Sequence, residues 1–149
     1  MNEARNLSEE GALILIDGVV KRYGQGRSQV KVLDGLSLEV PPGDYLAIMG
    51  RSGSGKTTLL NLLGAMDRDY EGKVLVRGKE LHTLKDRELA SLRNRTVGFV
   101  YQTFNLVPHL TVLENILLPG FFRDGGLRGR AAEEHSKECL ERVGLGGFG

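Results

Sequence analysis

Cysteine occurs once, at Cys139, which excludes a disulfide within the chain. Charge of one sign is also scarce: 20 basic residues against 19 acidic leave a net charge of +1. That balance gives no electrostatic footprint for nucleic acid and no basic block for an anionic membrane surface, so no nucleic-acid partner is expected. Long apolar runs are missing. The longest, Ile116-Leu117-Leu118-Pro119-Gly120-Phe121-Phe122, is broken by Pro119 and Gly120 and is far short of the roughly 20 residues a spanning helix needs. Residues 1–10 are polar, with Glu3, Glu9 and Glu10 where a secretory signal wants positive charge, so a cytoplasmic product is expected. Metal and triad chemistry have little material. His135 and Cys139 are four apart on an expected helix, yet no second ligand pair accompanies them. His82 and His109 have no Ser, Asp or Cys arrangement of a triad beside them and are expected on the surface or in turns.

Glycine, by contrast, is abundant, at 21 of 149 residues. Gly50-Arg51-Ser52-Gly53-Ser54-Gly55-Lys56-Thr57 has the full pattern of a phosphate-binding P-loop. Each position has a physical reason. The glycines allow positive φ, so that successive N–H groups turn inward toward an anion. Gly55 opens a helix whose N-terminus adds partial positive charge there. Lys56 reaches the β- and γ-phosphates, and the Thr57 hydroxyl can ligate Mg²⁺. The setting is also right: the apolar Tyr45-Leu46-Ala47-Ile48-Met49 reads as a strand before the loop, and Thr58-Leu59-Leu60-Asn61-Leu62-Leu63 as a helix after it. The chain is therefore expected to bind a nucleoside triphosphate.

The length suits one domain able to bury a core. Residues 13–16 and 30–40 read as strands joined by a turn-rich polar link over 21–26, and 41–44 as a turn. The helix after the loop should end near Ala65 or Met66. Residues 72–79 alternate between two glycines as a hairpin strand. Residues 86–95 read as a charged helix with Leu89 and Leu92 inward, and 97–101 as a buried strand running into Gln102. A further helix over 110–118 should stop at Pro119, and 123–130 is a Gly- and Arg-rich loop. The last helix, 131–143, should face Ala132, Cys139, Leu140 and Val143 inward and close at Gly144. Strands and helices alternating around a P-loop predict an α/β fold with a parallel core sheet, beside an antiparallel piece formed by the strand-rich first 45 residues.

Three stations in order make the chain resemble the ATP-binding domain of an ABC transporter. Tyr23, in Lys21-Arg22-Tyr23-Gly24, falls where that family carries the aromatic residue that stacks on adenine. The P-loop follows through Thr58. Gln102, in Phe99-Val100-Tyr101-Gln102-Thr103-Phe104-Asn105-Leu106, matches the family's Q-loop. Its continuation, residues 107–116, resembles the lipoprotein-release and macrolide-export branch. The resemblance implies a P-loop ATPase core with an antiparallel β-subdomain and the start of a helical subdomain. The expected layout is a β layer over 13–48, a P-loop-to-Q-loop core over 45–102 and a helical portion over 103–149. It also implies ATP and Mg²⁺ as cofactors, with Tyr23, Gly50 to Thr58 and Gln102 around the nucleotide and with Thr57 and Gln102 near the metal. Membrane permease subunits meeting the Q-loop region and a second ATP-binding subunit are the implied partners, with the chain peripheral to the membrane through the permease. Stacking is largely indifferent to base identity, which implies tolerance between ATP and GTP.

In that family an aspartate ending an apolar strand holds Mg²⁺, the next glutamate polarises water, and a Leu-Ser-Gly-Gly-Gln-type signature and a switch histidine follow. None of these stands between Gln102 and Gly149, so no catalytic residue is expected within the chain and the C-terminal part of the domain is expected to be absent. Leu13-Ile14-Leu15-Ile16-Asp17 mimics the aspartate strand, but it precedes the P-loop and Gly18 follows it; an edge strand is expected there instead. Weak nucleotide binding with negligible hydrolysis is the expected behaviour, and an inactive or non-hydrolysing fragment is the alternative. A DNA-repair ATPase of the same family would carry long insertions and basic surface. A GTPase would need Asn-Lys-x-Asp, which is missing.

Overall fold

The computed structural model describes residues 11–122, 125–126 and 128–148. The expected signal-free start at residues 1–10 lies outside the described residues, as do Arg123, Asp124 and Leu127 of the expected loop, and Gly149. The fold is α/β, and the chain divides into two compact units, Met1–Leu89 and Ala90–Gly149.

The first unit carries four strands, β1 (Ile14–Tyr23), β2 (Val30–Val40), β3 (Glu71–Val76) and β4 (Lys79–Glu80). They form one sheet in the order β2-β1-β3-β4, antiparallel throughout. The polar stretch 21–23, expected as a link, belongs to β1, because β2 pairs along its whole length from Ile14 opposite Val40 to Tyr23 opposite Val30. The run ending in Asp17 is not an edge strand but the sheet's interior. Leu15, Ile16 and Val19 are buried, and ladders on both sides satisfy the backbone groups that such burial removes from water. Gly72 makes the close approach to β1: a Cβ there would lie 2.6 Å from the Gly18 carbonyl oxygen. At this point the register slips between Asp17 and Val20, a bulge that a larger residue would block. The expected hairpin is present, closed by Arg77 and Gly78 with φ of 50° and 70°, the two-residue turn whose twist suits flanking strands.

Helix α1 (Lys56–Leu63) buries Thr58, Leu59 and Leu62. It ends at Gly64, slightly before the expected stop, and Ala65 turns left-handed at φ 54°. Complete burial of Leu62 contributes about 1.5–3 kcal/mol. Helix α2 (Asp86–Thr96) has its expected inner residues Leu89 and Leu92 buried.

In the second unit, α3 (Val112–Phe121) starts at a capping box. The Glu114 amide donates to Thr111 Oγ1 at 3.2 Å, and the Thr111 amide donates to Glu114 Oε2 at 2.7 Å. Where the sequence expects a stop, Pro119 lies inside the helix. Its missing N–H removes only the bond to the carbonyl of Asn115, close to the helix end. Its own carbonyl accepts from Asn94 Nδ2 at 3.0 Å and from the Phe122 amide at 3.3 Å. Helix α4 (Arg130–Arg142) buries Ser136 and Leu140 and half-buries Ala132 and Cys139. Val143, expected inward, is 69 % exposed. The helix has already ended there, and the chain turns through Gly144 at φ 78°. The Leu145 amide donates to the Leu140 carbonyl at 2.8 Å and the Gly144 amide to the Glu141 carbonyl at 3.0 Å, a Schellman closure that agrees with the expected glycine stop.

Two expected strands are not strands. Residues 45–49 and 97–101 are apolar and carry no ladder among the described residues, so no parallel pairing is present there. Tyr45 is 96 % exposed, Met49 88 %, and Val100 fully so. Side-chain pattern alone does not make a strand; its amides and carbonyls need a neighbour.

Candidate nucleotide-binding site

The loop over residues 50–55 leads directly into α1, whose first residue is Lys56. A tight turn within it is marked by the Ser54 amide, which donates to the Arg51 carbonyl at 3.3 Å. Gly55 caps the helix at φ 88°, a conformation L side chains rarely adopt, and a Cβ there would meet the Val32 carbonyl oxygen at 3.0 Å and Leu33 Cδ2 at 3.2 Å. The loop thus sits against β2 without room for a side chain. The Lys56 ammonium donates to the carbonyls of Gly50 at 3.0 Å and Arg51 at 2.7 Å, so it is held over the loop. Gly50, Arg51, Ser52, Gly53 and Ser54 are exposed; Thr57 is exposed at the helix start, and Thr58 points into the packed side of α1. A helix N-terminus with free amides, an adjacent lysine and an exposed hydroxyl can receive a polyanion.

Tyr23 reaches the same end of β2. It pairs with Val30, two residues from the Val32 backbone that touches Gly55, or about 7 Å along a strand. The residue is 44 % exposed. Beside it lies a charged cluster that sequence reading did not find. Lys21, only 2 % exposed, donates to Asp67 Oδ1 at 3.0 Å and lies 2.9 Å from Oδ2. It also bonds the Asp69 carboxylate at 3.2 Å and the Asp69 carbonyl. Asp67 further accepts from the Asp69 amide at 2.9 Å and from the Tyr23 hydroxyl at 3.4 Å. Burial alone would lower the Lys21 ammonium and raise the Asp67 carboxyl. The hydrogen bonds and opposite charge they exchange win, so Lys21 titrates above its ordinary value and Asp67 below its own.

Gln102 belongs to the second unit and is exposed directly after the 97–101 segment, where Phe99 and Tyr101 stack at 5.5 Å. Asn115 is a second residue the sequence did not mark. Its Oδ1 accepts from the Val107 amide at 2.8 Å, and its Nδ2 donates to the carbonyls of Leu110 and Thr111 at 3.1 and 2.9 Å. It pins the 107–111 turn that follows Gln102. His82 is structural: it stacks on Tyr70 at 4.1 Å and its Nε2 is 3.1 Å from the Arg68 carbonyl oxygen. The His135 and Cys139 side chains lie 3.9 Å apart, and among the described residues no group of three or more His, Cys, Asp or Glu could hold a metal. No helix of the described residues is long and apolar enough to cross a membrane.

The family description "ABC transporter" matches residues 33–149. The chain is 48 % identical over 128 residues to the lipoprotein-releasing system ATP-binding protein LolD of Alcanivorax borkumensis, covering 86 % of this chain and 55 % of that protein. It is 43 % identical over 134 residues to the macrolide export ATP-binding/permease protein MacB of Syntrophobacter fumaroxidans, covering 90 % of this chain and 19 % of that one. A dimeric structure of the ATP-binding cassette MJ0796 in a post-hydrolysis state, bound to ADP and Pi, superposes with a TM-score of 0.80 at 37 % identity. It covers 88 % of this chain and 57 % of that one. The chain thus spans about half the length of LolD and of the cassette, and less of MacB.

Proposed function

Because the chain belongs to the ABC transporter family, we propose that it is the ATP-binding portion of a transporter's ATPase subunit, acting with a membrane permease at the cytoplasmic face. The carrying observation is the loop: Gly55 left-handed against β2, α1 opening at Lys56, and the lysine held over the loop by two carbonyls. The loop and helix-start amides other than that of Ser54, together with Lys56, take the phosphates, and Tyr23 takes one face of the base. Magnesium fits the donor chemistry of the loop, where the exposed Thr57 hydroxyl is a hard oxygen donor; Gln102, in the second unit, carries an amide oxygen of the same donor type. When bound, the ion neutralises phosphate charge. The Gln102 region is the proposed permease contact, and a second ATP-binding subunit the proposed partner; the MJ0796 cassette is described as dimeric.

Calorimetric titration with Mg–ATP beside a Lys56→Ala control tests the site. The control should bind about tenfold or more weakly, the loss of a charged hydrogen bond worth about 1.5–3 kcal/mol. Equal affinity would remove the loop from the site.

A further inference from the structure

We propose that Asp67 and Lys21 form a latch that fixes the Tyr23 ring for base stacking, which makes them positioning residues for the nucleotide. This rests on the reading that Tyr23 meets the base. An aromatic residue that is 44 % exposed would ordinarily swing about its χ angles. Here it is held at two places. The Lys21 ammonium stands 4.8 Å from the ring centroid and occupies one face. The Tyr23 hydroxyl meets Asp67 Oδ2. Only one face remains for a base.

The latch is itself held by further hydrogen bonds. Lys21 has its donors engaged by Asp67 and Asp69, and the Asp67 side chain is 19 % exposed and also fixed by the Asp69 amide. Asp67 stands four residues beyond the end of α1, and the chain between is tied back by the Met66 amide on the Asn61 carbonyl at 2.8 Å. One helix therefore offers its N-terminus at the phosphate loop and, past its C-terminus, the carboxylate that holds the ring. The two ends of the nucleotide would be received by one short stretch of chain.

The test compares Mg–ATP with Mg–tripolyphosphate, which has the charge but no base, on the full chain and its variants. Stacking should make ATP the tighter ligand by roughly 5- to 150-fold. Tyr23→Ala should erase that ratio. Asp67→Asn should lower it by about 2- to 12-fold, the cost of ordering a freed side chain, and leave tripolyphosphate affinity unchanged. A ratio that collapses in Tyr23→Ala but survives in Asp67→Asn overturns the latch and leaves the stacking reading intact. A ratio untouched by Tyr23→Ala overturns the stacking reading, and the latch with it. Loss of both affinities in a folded Asp67→Asn protein makes the cluster merely structural and also overturns the proposal. If Asp67→Asn does not fold, Tyr23→Phe decides, since it removes the hydroxyl's hold on Asp67 and keeps the Lys21–Asp67 pair: a lower ratio supports the latch and an unchanged one overturns it.

Discussion

Lys21 keeps a charge in the core of the first unit, and that is tolerable only while the Asp67 carboxylate beside it stays ionised. The pair sets how stability depends on pH. Asp67 titrates below its ordinary 3.8 when folded, so its contribution is present above that value and is lost as pH falls through the folded pKa. Lys21 titrates above its ordinary 10.5, so its contribution is complete below that value and is lost as pH rises through the folded pKa. Thermal melting should therefore be level from about pH 5 to 10, with an acid limb near and below 4 that Asp67→Asn flattens. An acid limb identical in the variant would assign the loss to other carboxylates. The phosphate loop was legible because its residues are contiguous and each local geometry demands its residue type. Lys21 and Asp67 were not, because each reads alone as a surface charge and 46 positions separate them.

Among the elements, the turn over residues 107–111 is held less by its own backbone than by the side chain of Asn115 in α3. Asn115→Ala would leave the Val107 amide and the Leu110 carbonyl without that partner. Hydrogen exchange at Val107 should rise by about five- to tenfold, from the loss of a bond worth about 1 kcal/mol or slightly more, with α4 unaffected. Unchanged protection at Val107 would mean that the turn holds itself. Helices and hairpins were readable because their signals are local: the Thr111–Glu114 box, Gly144 after α4, and Arg77-Gly78 between strands. What the sequence misplaced depends on distant partners. β1 became central because β2 and β3 both find it, and residues 45–49 and 97–101 have the composition of core strands without a ladder.

At the scale of the molecule those two segments decide solution behaviour. Tyr45, Met49 and Val100 are each at least 88 % exposed, and large apolar side chains left in water favour association. Neither segment has a strand ladder among the described residues, and apolar chain without a ladder partner is a template for edge-to-edge association. The chain should therefore self-associate as its concentration rises and bind a hydrophobic dye, and sedimentation should show species heavier than 16.3 kDa. Replacing Met49 and Val100 with lysine tests the cause. Neither side chain is buried, so folding should tolerate both, and the added charge should oppose pairing. A wild-type chain that stays monomeric with a sharp, cooperative melt would show that these segments are quiet. An associating chain that the two lysines do not disperse would put the contact elsewhere. Dispersal by the lysines, with Mg–ATP affinity retained, would separate association through 45–49 and 97–101 from the nucleotide site.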